Sequence, residues 1–300
     1  MKLRLVLLSI ISILLAVNPV QARSKILLRL NLQKGSIYEM TMDMTSNIDQ
    51  KMMGQQMKID QKMEMVFNYE VMDMLPTHNF QIDYSVVKTK LNMNMNGNEV
   101  DLDSDSKDDG NAMIRALKDI CMAKLNLEIN SKGQVEKLEG IDALKKIFAG
   151  NPQLVQSMSM FADEVSFSSF VSQTFNYFPE KEVGKGDKWT SFFKLPSLMN
   201  METTLNFEVV SMDKHETILN VVSDVNMDSP VEQSGMKMNM KMKGTQTGTM
   251  TIDTRDGWFR TSNLNQKFDM KLKMKNPQSG EDMEIPIVVN SVTNMTVIKK

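Results

Sequence analysis

Residues 57–71 read MKIDQKMEMVFNYEV, and their alternation decides the fold. Successive side chains on a strand point to opposite faces, so Met57, Ile59, Met63, Met65, Phe67, Tyr69 and Val71 fall on one face. Lys58, Asp60, Lys62, Glu64, Asn68 and Glu70 fall on the other. Such a stretch is a strand with one buried face and one wet face. The same period runs through 38–44 (Tyr38, Met40, Met42, Met44), 80–86 (Phe80, Ile82, Tyr84, Val86) and 264–274 (Leu264, Phe268, Met270, Leu272, Met274). In 236–244, MKMNMKMKG, it places Met236, Met238, Met240 and Met242 opposite Lys237, Asn239, Lys241 and Lys243. Several of these runs exceed the usual strand of about 5 to 6 residues. Long strands with one apolar face imply a large curved antiparallel sheet, closed or half closed on itself.

Turn chemistry separates the runs: Met53-Gly54-Gln55-Gln56, Asn96-Gly97-Asn98, Asn130-Ser131-Lys132-Gly133, and Asp253-Thr254-Arg255-Asp256-Gly257 ahead of Trp258. Successive strands are then expected to be neighbours. In the middle the period changes to that of a helix. Residues 111–122 put Met113, Ile114, Leu117, Ile120 and Cys121 on one stripe, with Asp108 or Asp109 as the cap candidate. A second helix is predicted over 141–149 (Ile141, Leu144, Ile147, Phe148), with Gly150 as its stop. Asn151-Pro152 restarts helix through Leu154, Val155, Met158 and Phe161, continuing toward Phe175. The fold class is therefore mainly β with central helices, a curved sheet or half-barrel.

Four segments follow: a signal peptide at 1–22, a first β block at 23–108, a central helical segment with a hairpin at 109–180, and a second β block at 181–300. The blocks share a pattern: FNYEVMDM at 67–74 matches LNFEVVSM at 205–212, and Lys34-Gly35 with Tyr38 echoes Lys185-Gly186 with Trp189. Either a duplicated β unit or chance similarity of short strands explains this.

The opening MKLRLVLLSIISILLAVNPVQA has Lys2 and Arg4 before an apolar run, then Pro19 and a small-residue end at Ala22. That pattern predicts export, to the periplasm or envelope or beyond. The apolar run is shorter than the about 20 residues of a membrane span, and no later stretch resembles one. Arg23, not Cys, follows the expected cleavage point, so no lipid anchor is expected. Cys121 is the sole cysteine; it cannot form an intramolecular disulfide and is expected to be buried. With 35 basic and 37 acidic residues, the charge suggests neither nucleic acid nor an anionic membrane surface as a partner.

Taken with the signal peptide and the Met-rich strands, LNLEINSKGQVEKLEGIDALKKI (125–147), FPEKEVGKGDKW (178–189) and GTMTIDTRDG (248–257) are similar to a family of exported, uncharacterised bacterial envelope proteins. The resemblance implies no activity and no catalytic residues. In architecture alone, the chain also resembles the half-barrel lipoprotein carriers of the bacterial envelope.

Signatures of enzymes are sparse, and a non-enzymatic protein without a cofactor is expected. The chain has 2 histidines, His78 and His215, each in a turn after one of the matched strands. Neither H-E-x-x-H nor Cys/His zinc spacing occurs. Ser104-Asp105-Ser106-Lys107 fits S-x-x-K but lies in an acidic loop without the partner motifs of a nucleophile. That loop, with Asp101, Asp103, Asp105, Asp108 and Asp109, could serve calcium, or simply cap the next helix. As an EF-hand it fails, with Ser106 and Ala112 where Gly and Glu belong. A transmembrane barrel would carry aromatic girdles, whereas 6% of the chain is aromatic.

Methionine, at 30 residues against 13 phenylalanines, carries three competing readings. It fills a solid core of a structural or protein-binding molecule, its flexible chain fitting irregular gaps. Or it lines a soft concave wall for a lipid, acyl chain or other apolar molecule, formed by Met40, Met42, Met63, Met65, Phe67, Met238 and Met240. Or Met236, Met238, Met240 and Met242 supply thioethers to Cu(I).

Overall fold

The computed structural model describes residues 25–52, 55–108, 110–151, 163–195, 201–233, 236–275 and 281–300. The predicted signal peptide, the turn residues Met53 and Gly54, Asp109, and the helix restart from Pro152 to Phe161 lie outside the described residues. Strands β1 (Ile37–Met52), β2 (Gln55–Met74), β3 (Phe80–Met95), β4 (Asn98–Asp103), β5 (Lys124–Ile129) and β6 (Val135–Glu139) come first. Helices α1 (Ala112–Met122), between β4 and β5, then α2 (Ile141–Gly150) and α3 (Glu164–Thr174), after β6, make up the central helices. Strands β7 (Lys188–Leu195), β8 (Met201–Met212), β9 (Glu216–Gln233), β10 (Met236–Asp253), β11 (Phe259–Lys275) and β12 (Asp282–Lys299) follow.

All strands join one 12-stranded sheet in the order β6-β5-β3-β2-β1-β12-β11-β10-β9-β8-β7, with β4 also on β3. Every pairing is antiparallel and mostly sequential, as the turns imply. The two β blocks meet where β1 pairs β12, from Tyr38 opposite Lys299 to Gln50 opposite Ile287. The sheet does not close, since β6 and β7 remain as edges. Two inward glycines of β10 mark where β11 comes close: a Cβ on Gly244 would meet the Lys267 carbonyl at 2.3 Å, and one on Gly248 the Asn263 carbonyl at 2.0 Å.

The related sequence patterns adopt the same local structure. Gly35 donates its N–H to Val71 (2.7 Å) and Gly186 its own to Val209 (2.8 Å), both glycines at positive φ (81° and 85°). The register of β2 slips between Val71 and Asp73, and that of β8 between Val209 and Ser211. Tyr38 faces Tyr69 as Trp189 faces Phe207. A bulge, a glycine turn and an aromatic pair all recur at matching positions, which fits two related β units.

One half of the sheet's length is filled. Helix α3 lays Phe167 and Phe170 against Tyr84 (5.2 Å between ring centroids) and Phe67 (5.9 Å). Trp258, fully buried, stacks on Tyr38 at 4.3 Å and meets Tyr69 and Phe175 edge-on at 5.1 and 4.9 Å. Such pairs each add roughly 0.5–1.5 kcal/mol beyond area burial. Leu28, Leu30 and Leu32 of the N-terminal segment complete this core. Gly257 holds the turn before Trp258 at φ +74°, and a Cβ there would meet the Arg29 carbonyl at 1.9 Å.

Three local expectations are corrected. The cap of α1 is Asn111, whose Oδ1 accepts from the Met113 and Ile114 N–H groups; Asp108 instead accepts from Gly110. Gly150 is the last residue of α2 rather than its stop, and Asn151 follows as C-cap. Cys121 is half-buried rather than buried, because it sits at the rim of α1's apolar stripe.

Candidate ligand-binding face

Burial along a single strand reveals the site. On β2 the core-facing residues Met57, Ile59 and Gln61 are half-buried, and from Met63 onward they are buried. On β11 the change comes after Ser262: Gln266, Phe268, Met270, Leu272 and Met274 are all half-buried. The same face of the sheet is thus sealed at one end and accessible at the other. Its sealed end lies under the aromatic core, while α1 packs mainly on β3 and β4, α2 on α1, and α3 on β6 and β7.

Because the ladder is regular, each step of two residues adds a row across neighbouring strands. At the sealed end Met250, Ser262, Met295, Met42, Met65 and Thr89 form one row. Farther out comes a row that is polar throughout: Ser223, Gln246, Gln266, Ser291, Ser46 and Gln61. Beyond it lie Val225, Gly244, Phe268, Val289, Ile48 and Ile59, then Met227, Met242, Met270, Ile287, Gln50 and Met57. Met240, Leu272 and Ile285 follow, and Met238, Met274 and Met283 end the face. No Lys, Arg, Asp or Glu stands on it from the polar row outward among these residues.

From Gln246 to Met238 the strand rises roughly 27 Å, and six strands span roughly 24 Å. Within this band Val225, Met238, Met242 and Ile285 are buried, and Phe268, Met270, Leu272 and Met274 are half-buried. Its opposite face is ionic: Lys241 pairs Asp228 at 2.6 Å, Lys271 and Lys273 hold Glu284 at 3.0 and 3.3 Å, and Lys275 pairs Asp282 at 2.7 Å. This is the reverse of a membrane barrel, which keeps its apolar side chains outside and its polar ones inside.

The polar row is uncharged and only partly self-satisfied. Gln266 donates its amide to Gln246 Oε1 at 2.8 Å, and Ser223 shares a 2.9 Å bond with Thr203. The buried Ser291 hydroxyl has no hydrogen-bond partner. The glutamines are half-buried and able to turn toward a neighbour.

The predicted wall residues separate into two groups. Met40, Met42, Met63, Met65 and Phe67 belong to the main buried cluster, with Met65 and Phe67 fully buried. Met238 and Met240 lie on the outer rows. Of the alternative thioether set, Met238, Met240 and Met242 share the outer face, while the side chain of Met236 lies outside those described. Sequence reasoning missed the polar row, although Ser46, Gln61 and Gln266 each interrupt an apolar alternation.

Other candidates hold less. His78 and His215 are exposed turn residues. In the acidic loop, Asp103 accepts from Asp105 N–H and pairs with Lys90 at 3.3 Å; among the described residues no three metal-type ligands converge. A cleft of about 760 Å³ with a mixed polar and aromatic lining lies between α3 and edge strand β7. There α3 ties the two edges together: Ser172 accepts from Val135 of β6 (3.0 Å), and Asn176, just past the helix, donates to Phe192 of β7 (3.1 Å). Near Trp258, Arg260 binds Asp256 at 2.6 Å and Asp253 at 2.9 Å. Hydrogen bonding from Arg255 holds the Asp253 carboxyl well below the usual carboxylate range. This cluster fixes the turn beneath the aromatic core.

Residues 77–259 match the profile of a family of unknown function, DUF6263. The chain belongs to that family. Its matched span runs from the turn before β3 to the start of β11, taking in all three helices. No curated protein matches the chain. Among solved structures it is similar to lipovitellin, described for its lipid–protein interactions, with 10% identity and a TM-score of 0.49 over 89% of this chain. The chain spans 25% of that lipovitellin chain. It is also similar to an outer membrane channel of Pseudomonas putida F1, with 7% identity and a TM-score of 0.24, over 94% of this chain and 100% of that one. At such scores these are likenesses of long antiparallel sheets and carry nothing about binding. Among the described residues no helix is long and apolar enough to cross a membrane.

Proposed function

We propose that this DUF6263 protein is an exported, non-enzymatic binding protein that holds an apolar molecule, a lipid or acyl chain, on the outer rows of its core-facing sheet surface. One observation carries the reading: a face without charge continues from a packed core onto a band that is less completely buried, while the reverse side of the same strands is ionic. Burying apolar surface there gains roughly 25 cal/mol per Å². Methionine suits such a wall because its unbranched thioether chain repacks around ligands of different shape. The glutamine and serine row lies where a chain on the band meets the sealed end, and would accept an uncharged polar group of an amphiphile.

The wall is therefore Met227, Met238, Met240, Met242, Phe268, Met270 and Leu272, whereas Met40, Met42, Met63, Met65 and Phe67 support it from the core. Native mass spectrometry of protein purified without detergent, with titration of the fluorescent probe N-phenyl-1-naphthylamine, tests this. A lipid-sized adduct and saturable probe binding are expected, both lost in Leu272→Glu and kept in Lys271→Glu on the opposite face. A bare mass with no saturable binding would sink the reading and leave a structural or protein-interaction role.

A further inference from the structure

We propose that Met238, Met274 and Met283 form a thioether site for Cu(I), with Met240 as a fourth donor. The argument begins with register. Met274 on β11 lies directly opposite Met238 on β10 and Met283 on β12, so three sulfur side chains stand in one row on adjacent strands. Met240 is diagonal to Met274, near enough for long side chains to meet. Adjacent strands are about 4.8 Å apart, and methionine's three rotatable bonds let the two outer sulfurs lean over the middle one.

Other Met rows differ in what packs on them. Met42 and Met65 belong to the packed end of the sheet, and Met242, no more exposed than Met238, lies among Val225, Met227, Phe268 and Met270. The row of Met238, Met274 and Met283 instead lines an open cleft of about 540 Å³ at the end of the sheet. Its carboxylates are already engaged. Glu284 is held by Lys271 and Lys273, and Asp282 by Lys275. What remains is a neutral, soft set of sulfurs beside lysines, which opposes divalent hard cations and suits a monovalent soft one.

The inference does not depend on apolar ligand binding. It is tested with Cu(I) under anoxic, reducing conditions in competition with a chromogenic chelator, using full-length protein carrying Cys121→Ser to remove the one thiol. About one equivalent of Cu(I) per chain is expected, with Zn(II) unable to compete. Met274→Leu should weaken binding by roughly tenfold or more, the scale on which altered coordination shells act. Met242→Leu, two rows farther in from Met238, should bind as the parent does. Leucine conserves volume at both positions, and circular dichroism verifies that each variant is folded. Absence of uptake by the parent, or equal uptake after Met238→Leu, Met274→Leu and Met283→Leu are combined, overturns the proposal. Loss in Met242→Leu equal to that in Met274→Leu overturns it too, by moving the site inward.

Discussion

Replacing Met65 and Met270 separately with alanine tests whether one face of this sheet is sealed at one end and open at the other. Met65 is fully buried on β2 between Met42 and Thr89, beneath the cluster that includes α3. Its truncation removes buried contacts and leaves a void that the helix and sheet cannot both close, which costs about 3–4 kcal/mol within the range for Met→Ala. Met270 lies between Met242 and Ile287 but is only half-buried. Water can enter the space it leaves, so the cavity contribution vanishes and about half of the transfer cost remains, roughly 1 kcal/mol. Urea unfolding followed by two probes should give a midpoint shift for Met65→Ala about three times that for Met270→Ala, with unchanged m-values. Equal shifts would mean that the outer rows are packed core, and the binding band would disappear from the argument. A Met65→Ala shift as small as that expected for Met270→Ala would refute the sealed end instead.

Acid should act through Asp253. Its folded carboxyl titrates below the ordinary value because Arg255 and Arg260 bind it, so its stabilisation is full above about pH 4 and is lost as pH falls toward the folded value. Asp253→Asn should therefore lower the urea midpoint at pH 7, with the gap to the parent narrowing below about pH 4; a gap independent of pH would remove the ion-pair explanation. Gly257→Ala combines a positive φ with a Cβ placed 1.9 Å from the Arg29 carbonyl. Its thermal midpoint should fall by more than the few degrees that about 1 kcal/mol produces, and near-ultraviolet dichroism from Trp258 should change; an unshifted midpoint would show that the turn relaxes freely.

Much of the architecture is legible because alternation with period two survives from sequence to sheet. Met57 to Val71 on one face of β2, the Asp253 to Gly257 turn and the two matched strand patterns all read correctly from local residues. Register is different. That Met274 meets both Met238 and Met283 depends on the register of neighbouring strands, and that Gln246 lies in a row with Gln266, Ser291 and Ser46 depends also on β1 pairing β12 from the other end of the chain, which local pattern does not encode. The cap of α1 was misread for a smaller reason. Aspartates crowd the preceding loop, but Asn111 is the residue placed to accept from two exposed helix N–H groups. Met65 and Met270 have the same side chain and the same alternation, so the sequence had no means of telling wall from core.

The abundance of methionine therefore does not mark the site. Met42, Met65 and Met295 share one row of the closed end, where Met65 is fully buried; Met227, Met242 and Met270 share another, where the burial is uneven. What differs is the material around them. Met42 and Met65 share a buried cluster with Phe67, Tyr69, Tyr84 and Trp258, rigid rings whose stacked and edge-to-face geometry fixes one packing. Toward the second, the only large ring of the outer rows is Phe268, and it leans over Gly244, close enough that a Cβ there would meet its Cδ1 at 2.3 Å. That ring fills the notch that the glycine leaves and smooths the surface instead of capping it. A sheet that needed only stability would extend its aromatic layer along these strands or shorten them to the length of the core. Strands of 17 and 18 residues in β11 and β12, apolar toward the core side and ion-paired on the reverse, do neither. On the proposed reading, their excess length provides a surface for a ligand that covers it from outside the sheet.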